Sequence, residues 1–174
     1  IGQTALELVS IPSPTGFTRE ATRYFETAYR ELGCEITRID RIKGSPSGTD
    51  APSVAARLRG TGAAPTLQID GHIDTIPAAH APASLVDNVL SGRGASDMKG
   101  GLAAVMEAAR VLREVGVQLP GDLLLTTHGL HEAPTGHGEG LLALISEGLH
   151  GAAAVVAEGP VDELAITGRG MAIF

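Results

Sequence analysis

The chain has 174 residues, with 13 Lys and Arg against 20 Asp and Glu, a net charge of −7 and a pI near 5.3. That balance argues against a nucleic-acid or anionic-membrane surface, either of which needs a basic stripe. Hydrophobic residues make up 43%, aromatics only 3%, and Trp is absent, so the core has to be built from Leu, Val, Ile and Ala, which suits α/β layers. A single cysteine, Cys34, excludes an internal disulfide and any zinc site made of two or four thiolates. No apolar run approaches the roughly 20 residues of a membrane-spanning helix. No basic segment followed by an apolar one opens the chain, and the expectation is a soluble, cytoplasmic protein.

In chain order, Gly2 to Ser10 reads as a short helix stopped by Ile11-Pro12-Ser13-Pro14-Thr15-Gly16. Residues 18–32 form a second helix, with Thr18 as N-cap and Ala21, Phe25, Ala28 and Leu32 on one face; Gly33 ends it. Cys34 to Ile39 alternates as a strand, Lys43 to Pro52 is a polar loop, and strands follow at Ser53–Leu58 and Thr66–Ile69. Residues 71–97 are irregular and rich in polar groups. Met98 to Val115 carries the clearest helical stripe, in Met98, Leu102, Val105, Ala109 and Leu112. Asp122 to Thr127 contains Leu123-Leu124-Leu125, as in a strand buried on both faces. Gly138 to Glu147 is helical, Ala152 to Ala157 is a second buried strand, and Leu164 to Phe174 is strand-like. The pattern predicts an α/β fold with a mainly parallel sheet flanked by helices. The apolar strand pattern running to Phe174 leads us to expect the N-terminal part of something longer.

Side chains able to bind metal recur at the predicted carboxyl ends of strands, where open α/β sheets assemble their sites. Strand 66–70 leads into Gly71-His72-Ile73-Asp74, strand 122–127 into His128-Gly129-Leu130-His131-Glu132, and strand 152–157 into Glu158; Asp97 precedes helix 98–115. Singly, each has a plainer reading: His72 a bonded loop residue, Asp97 an N-cap, Glu158 a solvated turn residue. Asp87 reads as solvent-facing, and His80 and His150 as surface or structural. Together, one His, one Asp and two Glu at four strand or loop ends match the nitrogen and oxygen donors of a hydrolytic zinc site. The glycine-rich stretch Gly92–Gly101 lacks the spacing of a phosphate loop, and Asp97 would repel phosphate at the helix start, so nucleotide binding is set aside.

Gly71-His72-Ile73-Asp74-Thr75-Ile76-Pro77 resembles the G-H-x-D-x-x-P motif of the co-catalytic zinc amidohydrolases and metallopeptidases. That family includes aminoacylases, acetylornithine deacetylases, succinyl-diaminopimelate desuccinylases, glutamate carboxypeptidases and dipeptidases. Gly92-Arg93-Gly94-Ala95-Ser96-Asp97-Met98-Lys99-Gly100-Gly101 is similar to its G-R-G-x-x-D-M-K-G-G motif. Ala157-Glu158-Gly159-Pro160 resembles its G-E-P segment, and Ser10 to Gly16 its early S-I-P-S-x-x-G stretch. The resemblance implies that residues 1–174 are the N-terminal part of one catalytic domain, ending where a lid and dimerisation domain begins. It implies hydrolysis of an amide bond in an N-acyl amino acid or small peptide. It also implies two zinc ions (cobalt a possible substitute) and a homodimer. By the same resemblance His72, Asp97, Glu132 and Glu158 hold metal, with Asp97 bridging, and Asp74 orients His72. The Asp97–Met98 peptide bond is expected to be cis.

The sequence departs from the family at the base. Where the family has two adjacent glutamates, this chain has His131-Glu132. One alignment makes His131 the general base and Glu132 a ligand; the other makes Glu132 the base and His131 or His137 a ligand. The family's distal His ligand has no candidate in these residues. A relative that binds metal without hydrolysis is therefore the rival expectation.

Overall fold

The computed structural model describes residues 1–158. The strand expected at 164–174 lies outside the described residues. The apolar stripes form the helices anticipated for them. They are α1 (Gly2–Ser10), α2 (Arg19–Glu31), α3 (Lys99–Glu114) and α4 (Glu139–Ser146). The strands are β1 (Glu35–Ile39), β2 (Ser53–Leu58), β3 (Leu67–His72), β4 (Ser84–Val86), β5 (Val89–Ser91), β6 (Leu123–His128) and β7 (Ala153–Val156).

Five strands make one sheet in the order β1-β2-β6-β3-β7. The expected α/β architecture is present, and its sheet is mixed. β3 pairs in parallel with β6 and β7, while β1–β2 and β2–β6 are antiparallel. The division follows from the connections. The helices α3 and α4 lie between β3 and β6 and between β6 and β7, so those strands run the same way. Only the loop 40–52 separates β1 from β2, and the chain reverses there. Within the stretch expected to be irregular, β4 and β5 form a separate hairpin. Its turn residues Asp87 and Asn88 have φ of 48° and 64°, as a two-residue primed turn requires.

β6 is buried along its whole length. Leu123 and Leu125 face the main core with Leu8, Phe25, Tyr29, Met98, Leu102 and Met106. Leu124 faces the other way, onto Ala55 and Leu144. Helices therefore cover both faces at β6, as its leucine run anticipated. Among the described residues no helix is long and apolar enough to cross a membrane.

Candidate metal centre

The parallel pairing of β3 with β6 and β7 sends three strand ends to one edge of the sheet. β3 ends in His72, which is in register with His128 at the end of β6. Asp74 follows β3, His131 and Glu132 follow β6, Glu158 follows β7, and Asp97 lies just ahead of α3.

Two glycines of the motifs explain how α3 comes close enough to place Asp97. A Cβ on Gly71 would stand 2.5 Å from Met98 Cε and 2.7 Å from Leu102 Cδ2. Without it, Met98 packs on β3, and its sulfur accepts the His72 N–H at 3.2 Å. A Cβ on Gly101 would stand 2.1 Å from the Ala157 carbonyl oxygen, so only glycine lets α3 approach the residue beside Glu158. The Asp97–Met98 bond is cis, as the resemblance implied.

Asp74 is completely buried. Its Oδ2 accepts the main-chain N–H groups of His131 at 3.0 Å and Glu132 at 2.9 Å, which pins the turn after β6. Between β6 and these N–H groups, Leu130 takes a left-handed conformation (φ 60°) with its side chain buried. Burial works against the Asp74 charge, but His72 and the Glu132 N–H outweigh it and bring the pKa down to about 2.

His72 is the centre of the group. Its Nδ1 lies 3.0 Å from the Asp74 main-chain carbonyl, which can only accept, so Nδ1 carries a proton. The Asp74 Oδ1 is 3.5 Å from the same nitrogen. Nε2 then turns its lone pair on Asp97 Oδ1 at 2.8 Å, with Glu158 Oε1 at 4.0 Å. Two acceptors at that distance repel unless a proton or a cation lies between them. Burial disfavours a charged His72, but Asp74, Asp97 and Glu158 overcome it and raise the pKa to about 9. Glu132 is pushed upward, by burial first and then by the Asp97 charge. Among the described residues no Lys or Arg pairs with Asp74, Asp97, Glu132 or Glu158. Among the described residues only His72 offsets the negative charge of this edge.

Two ligand sets meet here. His72, Asp97 and Glu132 each offer an atom within 4.8 Å of the others, and so do His72, His131 and Glu158. These are the donor types that zinc accepts, and the clustered carboxylates fit a divalent cation. His137 is not brought in: its side chain is 75% exposed and faces Glu139. His80 and His150 are exposed and bond only to neighbouring carbonyls, and Asp87 sits exposed in the hairpin turn.

The sequence reading missed a polar pair beneath the site. Asp70 is buried, takes a bond from Thr126 and stands 3.3 Å from His128 Nε2. Its pKa is lowered because His128 and Thr126 outweigh the burial penalty. The only signal was that Asp70 and His128 lie on strands that pair, which a single sequence does not show.

A mixed sheet whose carboxyl edge gathers carboxylates around a histidine is an arrangement in which a metal ion could be held. Residues 69–168 match the family described as peptidase family M20/M25/M40. The chain belongs to that family. Among curated relatives, the N-formyl-4-amino-5-aminomethyl-2-methylpyrimidine deformylase of Bacillus subtilis is 34% identical over 97% of this chain and 40% of its own length. A succinyl-diaminopimelate desuccinylase of Gluconacetobacter diazotrophicus is 36% identical over 77% of this chain and 35% of its own. The chain therefore spans well under half of either relative. Among solved structures, a Staphylococcus aureus tripeptidase matches with a TM-score of 0.73 at 24% identity, covering 92% of this chain and 43% of that one. Human carnosine dipeptidase 1 matches with a TM-score of 0.70 at 24% identity, over 83% of this chain and 34% of its own.

Proposed function

We propose that residues 1–174 are the first part of the catalytic domain of a metal-dependent amidohydrolase. Its substrate is an N-acyl amino acid or a small peptide. The observation that carries this reading is His72 Nε2 set against Asp97 Oδ1 at 2.8 Å, with Glu132 and Glu158 beside them and, among the described residues, no Lys or Arg paired with them. The named relatives, a deformylase, desuccinylases and peptidases, support an amide as the bond cleaved.

His72, Asp97, Glu132 and Glu158 are the residues that would hold the metal, zinc in our reading, two ions per complete site and cobalt as a substitute. Bound there, divalent zinc supplies carbonyl polarisation and a water made acidic near neutral pH. The chain's own groups do the rest. Asp74 and its carbonyl keep the Nδ1 proton of His72 in place, which leaves Nε2 free to coordinate. The same Asp74 carboxylate fixes the turn that carries His131 and Glu132. That turn supplies the proton acceptor for the attacking water, which returns the proton to the leaving amine.

The test is zinc content of the full-length protein, with hydrolysis of a panel of N-formyl, N-acetyl and N-succinyl amino acids and dipeptides. Bound zinc with turnover is expected. Zinc without turnover on any of them favours the second reading, a relative that binds metal and does no hydrolysis. No zinc and no turnover overturns both.

A further inference from the structure

In one of the two alignments His131 stands at the family's general-base position, but its ring lies within reach of two other candidate ligands. The His131 ring lies on the His72 ring with centroids 4.2 Å apart and planes 14° apart. Stacked face to face, the two imidazoles cannot hydrogen-bond edge to edge. Neither ring nitrogen of His131 has a hydrogen-bond partner among the described residues. A nitrogen of each ring and a Glu158 oxygen all lie within 4.8 Å of one another. Donors at the ~2.1 Å of a zinc–nitrogen bond stand roughly 3.4 Å apart around a tetrahedral ion; with the two ring planes nearly parallel, the exposed His131 ring has to turn for its lone pair to meet an ion that His72 and Glu158 also face.

The backbone holds this arrangement. The buried Leu130, in its left-handed conformation, turns the chain back. The His131 N–H is anchored on Asp74 Oδ2, the same residue that bonds His72. One carboxylate residue thus holds the His72 ring and the main chain of His131.

Resting on the metal-site reading above, we infer that His131 is a metal ligand that shares one ion with His72 and Glu158, and is not the proton acceptor of the reaction. A coordinated imidazole has committed its lone pair. The proton of the attacking water then passes to Glu132, the other residue of that turn, which gives up to His131 the ligand place it has in the reading above.

The experiment uses the full-length protein loaded with cobalt(II). Paramagnetically shifted imidazole N–H signals are counted by proton NMR, and metal affinity is measured by chelator competition. His131→Ala is expected to lose one shifted imidazole signal and to weaken one metal at least about tenfold, as losing even an indirect support does. His131→Gln, which keeps bulk, serves as a second variant, and circular dichroism checks that each folds. Unchanged signal count and unchanged affinity in a folded variant overturn the inference; if turnover alone falls, His131 is the base. Failure of the wild type to bind any metal overturns instead the metal-site reading on which the inference rests.

Discussion

Asp74 shows how one residue can serve both fold and chemistry. Its side chain accepts two N–H groups from the turn after β6, and its carboxylate and carbonyl together face His72 Nδ1. Asp74→Asn keeps an oxygen for the two N–H groups but removes the charge. The metal-free fold is expected to lose about 1–3 kcal/mol, because the amide NH2 then faces the Nδ1–H of His72 and the buried imidazole loses its counter-charge. Metal affinity is expected to fall roughly 10–100-fold, the usual cost of losing a carboxylate behind a coordinating imidazole. Chelator competition and a urea melt on the same variant check both halves; equal affinity for variant and wild type would show that the main-chain carbonyl suffices. A pH dependence follows from His72. In the metal-free protein it holds a second proton up to about pH 9, so metal has to displace that proton below it. Apparent affinity is expected to rise about tenfold per pH unit and to level off as the pH passes about 9. The same proton stabilises the metal-free fold. That contribution is whole below the unfolded pKa of ~6.5 and is lost as pH climbs through about 9. Titrations between neutral and alkaline pH check the slope, and a flat profile would contradict it. At this scale the sequence showed which residues to gather, because the motifs that resemble the family's contain His72, Asp74, Asp97 and Glu158. It left His131 and Glu132 as alternatives, because adjacency says nothing of ring orientation, and the 14° stack on His72 exists only in three dimensions.

Among the elements, α3 and β7 have to meet for the site to form, since one is preceded by Asp97 and the other is followed by Glu158. Gly101 is where they meet, and the obstacle a side chain would encounter is a backbone oxygen, at 2.1 Å, which no rotamer change can move. Gly101→Ala is therefore expected to push the start of α3 away from the end of β7. Overpacking of this kind costs about 1–3 kcal/mol, more than alanine's helix propensity of ~1 kcal/mol returns. Both thermal stability and metal affinity should drop. Gly116→Ala is the control for glycine loss alone, since φ is +70° there and no atom lies within 4 Å; it should cost stability and leave metal affinity untouched. Helices α2 and α3 were legible because each carries an apolar stripe at helical spacing, and β6 because a leucine run has to be covered on both faces. The β4–β5 hairpin was harder to see. Its Asp87-Asn88 turn is flanked by only three residues on each side, too short a run for alternation to stand out. The antiparallel β2–β6 pairing was not legible either, since it joins Val54 to Thr127 and Leu58 to Leu123, partners that no local pattern connects.

Over the whole molecule, the candidate ligands come from four places in the chain but from one end of the sheet. β1, β2 and α2 contribute none of them; these elements pack around Ala21, Phe25, Tyr29 and Ala56. A metal bound by His72, Asp97, Glu132 and Glu158 therefore cross-links the ends of β3, β6 and β7 to the start of α3, and leaves β1, β2 and α2 with the contacts they already have. Binding to the folded state alone stabilises it by RT ln(1 + [L]/Kd), which is ~2.7 kcal/mol when free metal is 100 times Kd. That gain should raise the melting temperature of the full-length protein as zinc is added, but it should not be spread evenly. Local opening draws on the contacts of the segment that opens. On chelation, amide exchange is expected to speed up in 72–75, 97–99 and 130–132, and around Glu158. The β1–β2 pairing and α2 should keep their protection until the whole protein unfolds. Hydrogen exchange with mass-spectrometric readout, with and without chelator, separates the possibilities. Uniform acceleration would mean that metal supports the entire domain. Acceleration confined to the site segments would mean that the hydrophobic half folds on its own terms and presents a prearranged edge to the metal. The second outcome is the one the packing predicts, because the Asp74 bonds that order the His131–Glu132 turn are made entirely by protein groups.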